Sequence, residues 1–392
     1  MIPDTKYLTN TFIFFVSCPK GECKYTILFD ITPNFKRIYP NKVKKISFFA
    51  YICPGKSVFL RMKAIIDKAI PYVTGVLEPY MQVEYCDGVA ISTEMVKDAD
   101  LLIIRTRTRC NQQLLDGSKV KFIATATIGF DHIDLEYCRL HDITVTTAQG
   151  CNAAGVLQWV AAALAMLSKH NGWQPEDMTL GIVGVGHVGS LVEEYARKWG
   201  FRILRCDPPR KQREGGDFLP LHEVARKADI ITFHTPLDSA THHLVNQELI
   251  NIIPTHATII NASRGEVADT QALLHCSQTL AIDVWEDEPA INRKLLNKAL
   301  ITTPHIAGYS AQGKANASAA AIRAMAQHFS LPLQEWYPSQ VTPIMRRDIS
   351  WVEMCHTIGR YCNLTGESQM LKTHPEEFEQ MRNNYSYREE YF

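Results

Sequence analysis

The chain has 392 residues, length enough for two or three domains, and its 41 Lys and Arg are balanced by 41 Asp and Glu. Zero formal net charge argues against a nucleic-acid surface, and no run approaches the roughly eighteen uninterrupted apolar residues of a membrane span. Eleven cysteines without CxxC pairs fit reduced thiols better than a disulfide framework or a zinc site.

Residues 1–61 stand apart from the rest. They carry ten Lys and Arg against three Asp and Glu, with aromatic residues clustered at Phe12, Phe14, Phe15, Phe48, Phe49 and Tyr51 and no clear period. The apolar run Thr11–Val16 is short for a signal peptide, and Asp4 lies where a basic n-region belongs, so export is not expected. The segment is expected to be an extension without order, or to precede a translation start at Met62. From Met62 the pattern becomes regular. Strands are predicted at Ala64–Ile66, Val83–Tyr85, Leu101–Ile104, Phe122–Ala124 and Ile143–Thr146, separated by helix-like stretches. Such alternation predicts a parallel sheet covered on both faces. A helix of small apolar residues, about Ala153–Leu167, then leads away.

The apolar run Leu180-Gly181-Ile182-Val183 precedes Gly184-Val185-Gly186-His187-Val188-Gly189, and Asp207 follows about twenty residues on. The three glycines answer three needs: a strand-to-helix turn, backbone approach to a pyrophosphate, and close helix–strand packing. Val188, Leu191, Val192, Tyr195, Ala196 and Trp199 recur at helical spacing, and Gly200 ends the helix. This constellation predicts NAD as cofactor. Asp207 would accept ribose hydroxyls and repel a 2′-phosphate. Arg210, Lys211 and Arg213 nearby leave NADP as the less favoured reading.

Six strands are predicted here: Thr179–Val183, Arg202–Cys206, Asp229–Phe233, Ala257–Asn261, Leu280–Val284 and Leu300–Thr303. Ligands on such sheets sit beyond the strand carboxyl ends. Polar residues fall at that rim: Asp207, Thr235, Arg264, Asp283, Glu288 and His305. A helix over Ser310–Phe329 is expected to return the chain to the first unit. Pro332, Pro338 and Pro343 mark a linker, and the charged stretch from Glu376 to Glu390 reads by itself as a solvated helix.

The rim suits hydride removal from a secondary alcohol. His305 can act as base because imidazole titrates near neutrality, and Glu288 is the candidate partner for its cation. Arg264 offers a planar fork for a carboxylate and cannot lose its charge. No metal is required. Each residue has a plainer explanation alone: Arg264 a surface turn, His305 a buried histidine, Glu288 a loop cap. Three together on one cofactor rim favour catalysis.

Asn261-Ala262-Ser263-Arg264-Gly265, Asp283-Val284-Trp285-Glu286-Asp287-Glu288-Pro289 and Thr303-Pro304-His305-Ile306-Ala307-Gly308 resemble the D-isomer-specific 2-hydroxyacid dehydrogenases. The resemblance covers nearly everything after Met62. It implies that Arg264 binds substrate, that His305 is the acid/base and that Glu288 supports it. Ile104 to Thr108, Ala124 to His132, Gly150-Cys151-Asn152, Cys206 to Arg210 and Pro375 to Tyr385 resemble one branch of that family more closely. That likeness implies NAD-linked oxidation of 4-phospho-D-erythronate to its 2-oxo acid for vitamin B6 synthesis, in a cytoplasmic homodimer. It further implies substrate contacts from Thr106, Thr127 and Tyr309, and cofactor contacts from Gly184, Gly186, His187, Val188, Gly189, Asp207, Thr235, Asp283 and Gly308. His187 stands where Asn is common, which matters little if backbone makes that contact. For the substrate phosphate, Arg105, Arg107 and Arg382 of a partner subunit are the candidate cations.

The expected fold is α/β. It comprises a flavodoxin-like substrate domain (62–152 and 305–330), a Rossmann-type NAD domain (153–304) and a small α+β C-terminal dimerisation domain (331–392). Two alternatives remain: a 3-phosphoglycerate or hydroxypyruvate type of dehydrogenase, and a non-catalytic NAD(H)-sensing interaction protein on the same fold.

Overall fold

The computed structural model describes residues 62–392 and, before them, only strands β1 (Ile13–Ser17) and β2 (Lys24–Leu28), which pair antiparallel. The expectations of an unordered extension and a start at Met62 fall mostly on residues outside those described.

The first sheet contains β3 (Lys63–Asp67), β4 (Gln82–Cys86), β5 (Leu101–Ile104), β6 (Phe122–Thr125) and β7 (Thr144–Thr147). All pairs are parallel, and the order β4-β3-β5-β6-β7 is that of a flavodoxin-like sheet. Central strands β5 and β6 are wholly buried and, but for Thr125 at the end of β6, read as apolar runs, because both faces are covered. Edge strands β4 and β7 mix polar and apolar residues.

The helix Ala153–Asn171 is longer than predicted and ends at Gly172, which adopts φ 74°. Its alanines are packing residues: Ala161, Ala162 and Ala163 are buried beside Leu180, Ile182 and Tyr195. The second sheet contains β8 (Thr179–Val183), β9 (Arg202–Cys206), β10 (Ile230–Phe233), β11 (Thr258–Asn261), β12 (Thr279–Ile282) and β13 (Ile301–Thr302). It is parallel throughout, in the order β13-β12-β11-β10-β8-β9. A single parallel bridge between Arg205 and Phe218 adds a rung outside β9. The chain reverses its direction of winding between β8 and β10, and ligands bind at such a crevice.

Ser310 caps the helix Ala311–His328 by accepting from the Gly313 amide. That helix packs Ala321, Ile322, Met325 and Ala326 onto Ile66, Leu101, Ile103 and Phe122 of the first sheet. Residues 331–392 supply the helices Trp351–Thr357, Leu364–Thr373 and Phe378–Asn383. In place of the expected α+β character, the described ladder contact of this stretch is one bridge between Ser310 and Arg388. Ile349, Met354 and Phe392 join the core around Trp159 and Trp199, while Leu371 and Phe378 join the one around Leu295 and Leu296.

The solvated helix expected up to Glu390 is corrected. Arg388 and Glu390 are 7% and 5% exposed. Arg388 donates to the carbonyls of Ile306 (3.0 Å), Gly155 (2.9 Å) and Ala307, and Glu390 accepts from the Ser310 hydroxyl at 2.5 Å. These carbonyls lie where the loop after β13 meets the start of the helix Ala153–Asn171, and one buried guanidinium donates to all three.

Candidate active site

The turn after β8 has room for glycine only at two of its three positions. Gly184 adopts φ 83°, and a Cβ there would lie 2.7 Å from the His234 carbonyl oxygen. A Cβ at Gly189 would lie 2.1 Å from the Gly184 oxygen. At Gly186 a Cβ would meet nothing within 4 Å. That open space lies at the start of the helix His187–Trp199, whose first turn has no side-chain cap and so offers free N–H groups to an anion. Asp207 accepts from the Val185 amide at 2.8 Å and the Arg210 amide at 2.9 Å, which seats its carboxylate against the turn. Arg210 is engaged by Glu214 at 2.7 Å and by the Val185 carbonyl at 2.7 Å, an arrangement that favours NAD over NADP. The His187 ring stands against Gly150, where a Cβ would come within 2.8 Å of Nδ1.

Arg264 follows β11. Asn261 shapes its turn by donating to the Arg264 carbonyl (2.9 Å) and accepting from the Ser263 amide (3.1 Å) and hydroxyl (2.8 Å). The Arg264 guanidinium donates to the Ser263 carbonyl at 2.8 Å through Nη1 and faces Gly129 across the cleft with Nη2. His305 sits at φ 56°. Buried Asp283 holds this loop: its backbone carbonyl accepts from the His305 amide at 2.7 Å. Its carboxylate accepts from the Thr303 hydroxyl (2.5 Å) and the amides of Ile306 (2.8 Å) and Ala307 (2.9 Å).

Glu288 Oε2 lies 2.7 Å from His305 Nδ1, and Oε1 accepts from the Trp285 amide at 2.9 Å. With Nδ1 donating to the carboxylate, the neutral imidazole keeps Nε2 as its basic nitrogen. Burial opposes ionisation of Glu288, yet His305, the Trp285 amide and Arg382 together hold its carboxyl below the usual range.

Arg264 and His305 line two adjoining cavities. One, of about 460 Å³, takes in His187, Val188, Thr235, Asp283 and Gly308. The other, of about 200 Å³, takes in Arg105, Thr106, Thr127, Lys314 and Arg382. Tyr309 and Gly308 border both. In the larger cavity, Thr235 Oγ1 and Asn152 Oδ1 are buried without a hydrogen-bond partner among the described residues, as fits groups awaiting a polar cofactor. His234 beside them is pushed down to about 3 by burial and stays neutral.

A family model described as D-isomer specific 2-hydroxyacid dehydrogenase, NAD binding domain, matches residues 153–307. An erythronate-4-phosphate dehydrogenase of Bacteroides fragilis is 45% identical over 342 residues, covering 84% of this chain and 97% of the relative. The chain belongs to the D-isomer-specific 2-hydroxyacid dehydrogenases, among the erythronate-4-phosphate dehydrogenases. The enzyme of that name from Photorhabdus laumondii is 40% identical, with 69% of this chain and 75% of the relative covered. Among solved structures, 3-phosphoglycerate dehydrogenase of Entamoeba histolytica with bound NAD+ matches at TM-score 0.60 and 27% identity, over 69% of this chain and 95% of the other. The family is one of NAD-dependent oxidoreductases, and its NAD-binding domain is the second sheet described above. Among the described residues no helix is long and apolar enough to cross a membrane.

On this dehydrogenase the residues expected to meet substrate divide. Thr127 bonds the Thr125 hydroxyl at 2.6 Å and the Gly129 carbonyl at 3.1 Å, and Tyr309 accepts from Arg382 Nε at 3.2 Å. Arg382, expected from a partner subunit, reaches the cavity within its own chain, with Nη1 3.6 Å from Glu288 Oε2. Arg107 does not line the cavity; it is half-exposed and paired with Glu379 on the helix Phe378–Asn383. Two residues were missed from sequence. Asn152 presses on Gly308, where a Cβ would lie 2.0 Å from Nδ2. Lys314 enters the cavity from the first turn of Ala311–His328, its ammonium 3.8 Å from the Tyr309 ring centre. A lone lysine among alanine and other small residues at a helix start was the available signal.

Proposed function

We propose that this chain oxidises 4-phospho-D-erythronate at C2, with NAD as acceptor, to (R)-3-hydroxy-2-oxo-4-phosphooxybutanoate in vitamin B6 synthesis. The observation that carries this reading is the shared border of the two cavities, where Arg264 and His305 stand together with Glu288 behind the imidazole. Arg264 holds the substrate carboxylate, and its fixed charge polarises the developing carbonyl. His305 Nε2 takes the proton of the C2 hydroxyl, and Glu288 stabilises the imidazolium that forms. When bound, NAD supplies a nicotinamide ring that accepts the hydride from C2. Thr106, Thr127 and Tyr309 orient the hydroxyacid, while Arg105 and Arg382 attract its phosphate. Gly184, Gly186, His187, Val188, Gly189, Asp207, Thr235, Asp283 and Gly308 are assigned to the cofactor.

Residues 62–152 with 305–330 form the substrate domain in this reading, 153–304 the NAD domain and 331–392 the dimerisation segment of a cytoplasmic homodimer. Steady-state kcat/KM with 4-phospho-D-erythronate, 3-phosphoglycerate and glycerate tests the substrate. A preference for either of the latter two overturns it. Started at Met62, the gene is expected to restore growth without pyridoxine to a strain lacking the dehydrogenase.

A further inference from the structure

The substrate cavity carries more positive charge than a carboxylate and a hydroxyl can use. Among the described residues four cations line it, Arg105, Arg264, Lys314 and Arg382, against one carboxylate, Asp131. Arg264 sits at the border with the cofactor cavity, whereas the other three line the substrate cavity alone. They come from three elements: the loop after β5, the helix Ala311–His328 and the helix Phe378–Asn383.

Arg105 and Arg382 are anchored within the protein. Arg105 donates to the Ala69 carbonyl at 3.2 Å, and Arg382 donates to Tyr309 and neighbours Glu288. Lys314 is different. Among the described residues its ammonium has no carboxylate or carbonyl partner, and it rests over the rings of Tyr309 (3.8 Å) and Tyr387 (5.2 Å). The ionisable groups acting on it are Arg105, Arg382 and the Cys151 thiol. Burial pushes the Lys314 ammonium down to about 7, and Arg105 and Arg382 add to that. A half-buried ammonium beside two guanidinium groups is stabilised by an anion among them.

We propose that Lys314 binds the phosphate of the substrate, closing with Arg105 and Arg382 a clamp built from three elements. The inference rests on the proposed function for the identity of the phosphate's carrier, though not for the clamp itself. Two anchored guanidinium forks fix the position of the oxyanion, and the rotatable ammonium leaves the tyrosine rings to meet it. A dianion between the three cations restores the Lys314 proton, so binding takes up a proton from solvent near neutral pH. The clamp also assigns specificity. A 2-hydroxyacid without the distal phosphate leaves three cations unsatisfied.

The test compares wild type, Lys314→Met and Lys314→Arg, each saturated with NADH, by calorimetric titration with inorganic phosphate. Loss of one charge-assisted contact is expected to weaken phosphate binding at least about tenfold in Lys314→Met, with Lys314→Arg retaining most of it. The preference for 4-phospho-D-erythronate over D-erythronate in kcat/KM should fall by a similar factor. Phosphate binding that is absent in wild type, or equal in wild type and Lys314→Met, overturns the clamp. A wild type inert toward 4-phospho-D-erythronate, with phosphate binding that still depends on Lys314, removes the substrate assignment and leaves the clamp standing. Should Lys314→Met fail to fold, wild type decides alone with sulfate, which does not titrate in this range. At about pH 8 its binding should take up a proton, read from heats in buffers of different ionisation enthalpy. No uptake overturns the proposal.

Discussion

Glu288→Gln removes the charge behind the imidazole and keeps its shape. In the native site Oε2 lies 2.7 Å from His305 Nδ1, while Oε1 accepts from the Trp285 amide. Glutamine can preserve either contact but cannot stabilise the imidazolium formed when His305 takes the hydroxyl proton. Two unit charges about 4 Å apart attract by about 4 kcal/mol at an effective dielectric of about 20. The two side chains are 25% and 17% exposed. Solvent screening therefore removes roughly half, leaving about 2 kcal/mol. That is about a thirtyfold fall in kcat/KM. Arg382, 3.6 Å from the same carboxylate, would lose its counter-charge and deepen the loss. The assay is initial NADH formation from 4-phospho-D-erythronate across pH. A correctly folded variant with a loss below about threefold would refute the pairing as a catalytic device.

Four further outcomes are expected. Gly189→Ala forces a methyl group to within 2.1 Å of the Gly184 oxygen, and its thermal unfolding should report a loss of at least about 2 kcal/mol. Gly186→Ala meets nothing and should keep the native melting temperature while weakening NAD binding, measured by fluorescence titration. Arg107→Ala and Glu379→Ala break a pair that is 54% exposed on both sides. Each should change stability by under about 1 kcal/mol in chemical denaturation. For Glu367, burial raises the carboxyl from 4.5 to about 6, with Tyr385 bonded to Oε1 at 2.8 Å. A raised carboxyl contributes stability below its unfolded value and loses it as pH rises through the folded one. Glu367→Gln should therefore melt higher than native above about pH 6, and the gap should close as pH falls toward 4.5.

Much of the site was legible because its signals are local. A strand rises, a glycine turn follows, and the next polar residue lands on the rim, so Arg264 after β11 and His305 after β13 could be placed from spacing alone. The same logic located Asp207. It misjudged charges whose partners lie far along the chain. Arg107 looked like a phosphate ligand and pairs with Glu379 instead; Arg388 and Glu390 looked solvated and are buried. Lys314 went unremarked because its meaning comes from Arg105 and Arg382, neither a sequence neighbour.

Periodicity, glycine placement and strand-end chemistry pointed to the two parallel sheets, the cofactor turn and a rim carrying Arg264, Glu288 and His305. Each depends on a few consecutive residues and on backbone geometry that repeats. Tertiary structure alone decided which charges lose water: that Asp283 ties down the His305 loop, that the C-terminal stretch delivers Arg382 and buries Arg388, and that among the described residues no acid pairs with Lys314. Desolvation is set by everything packed around a group, and no local pattern encodes that.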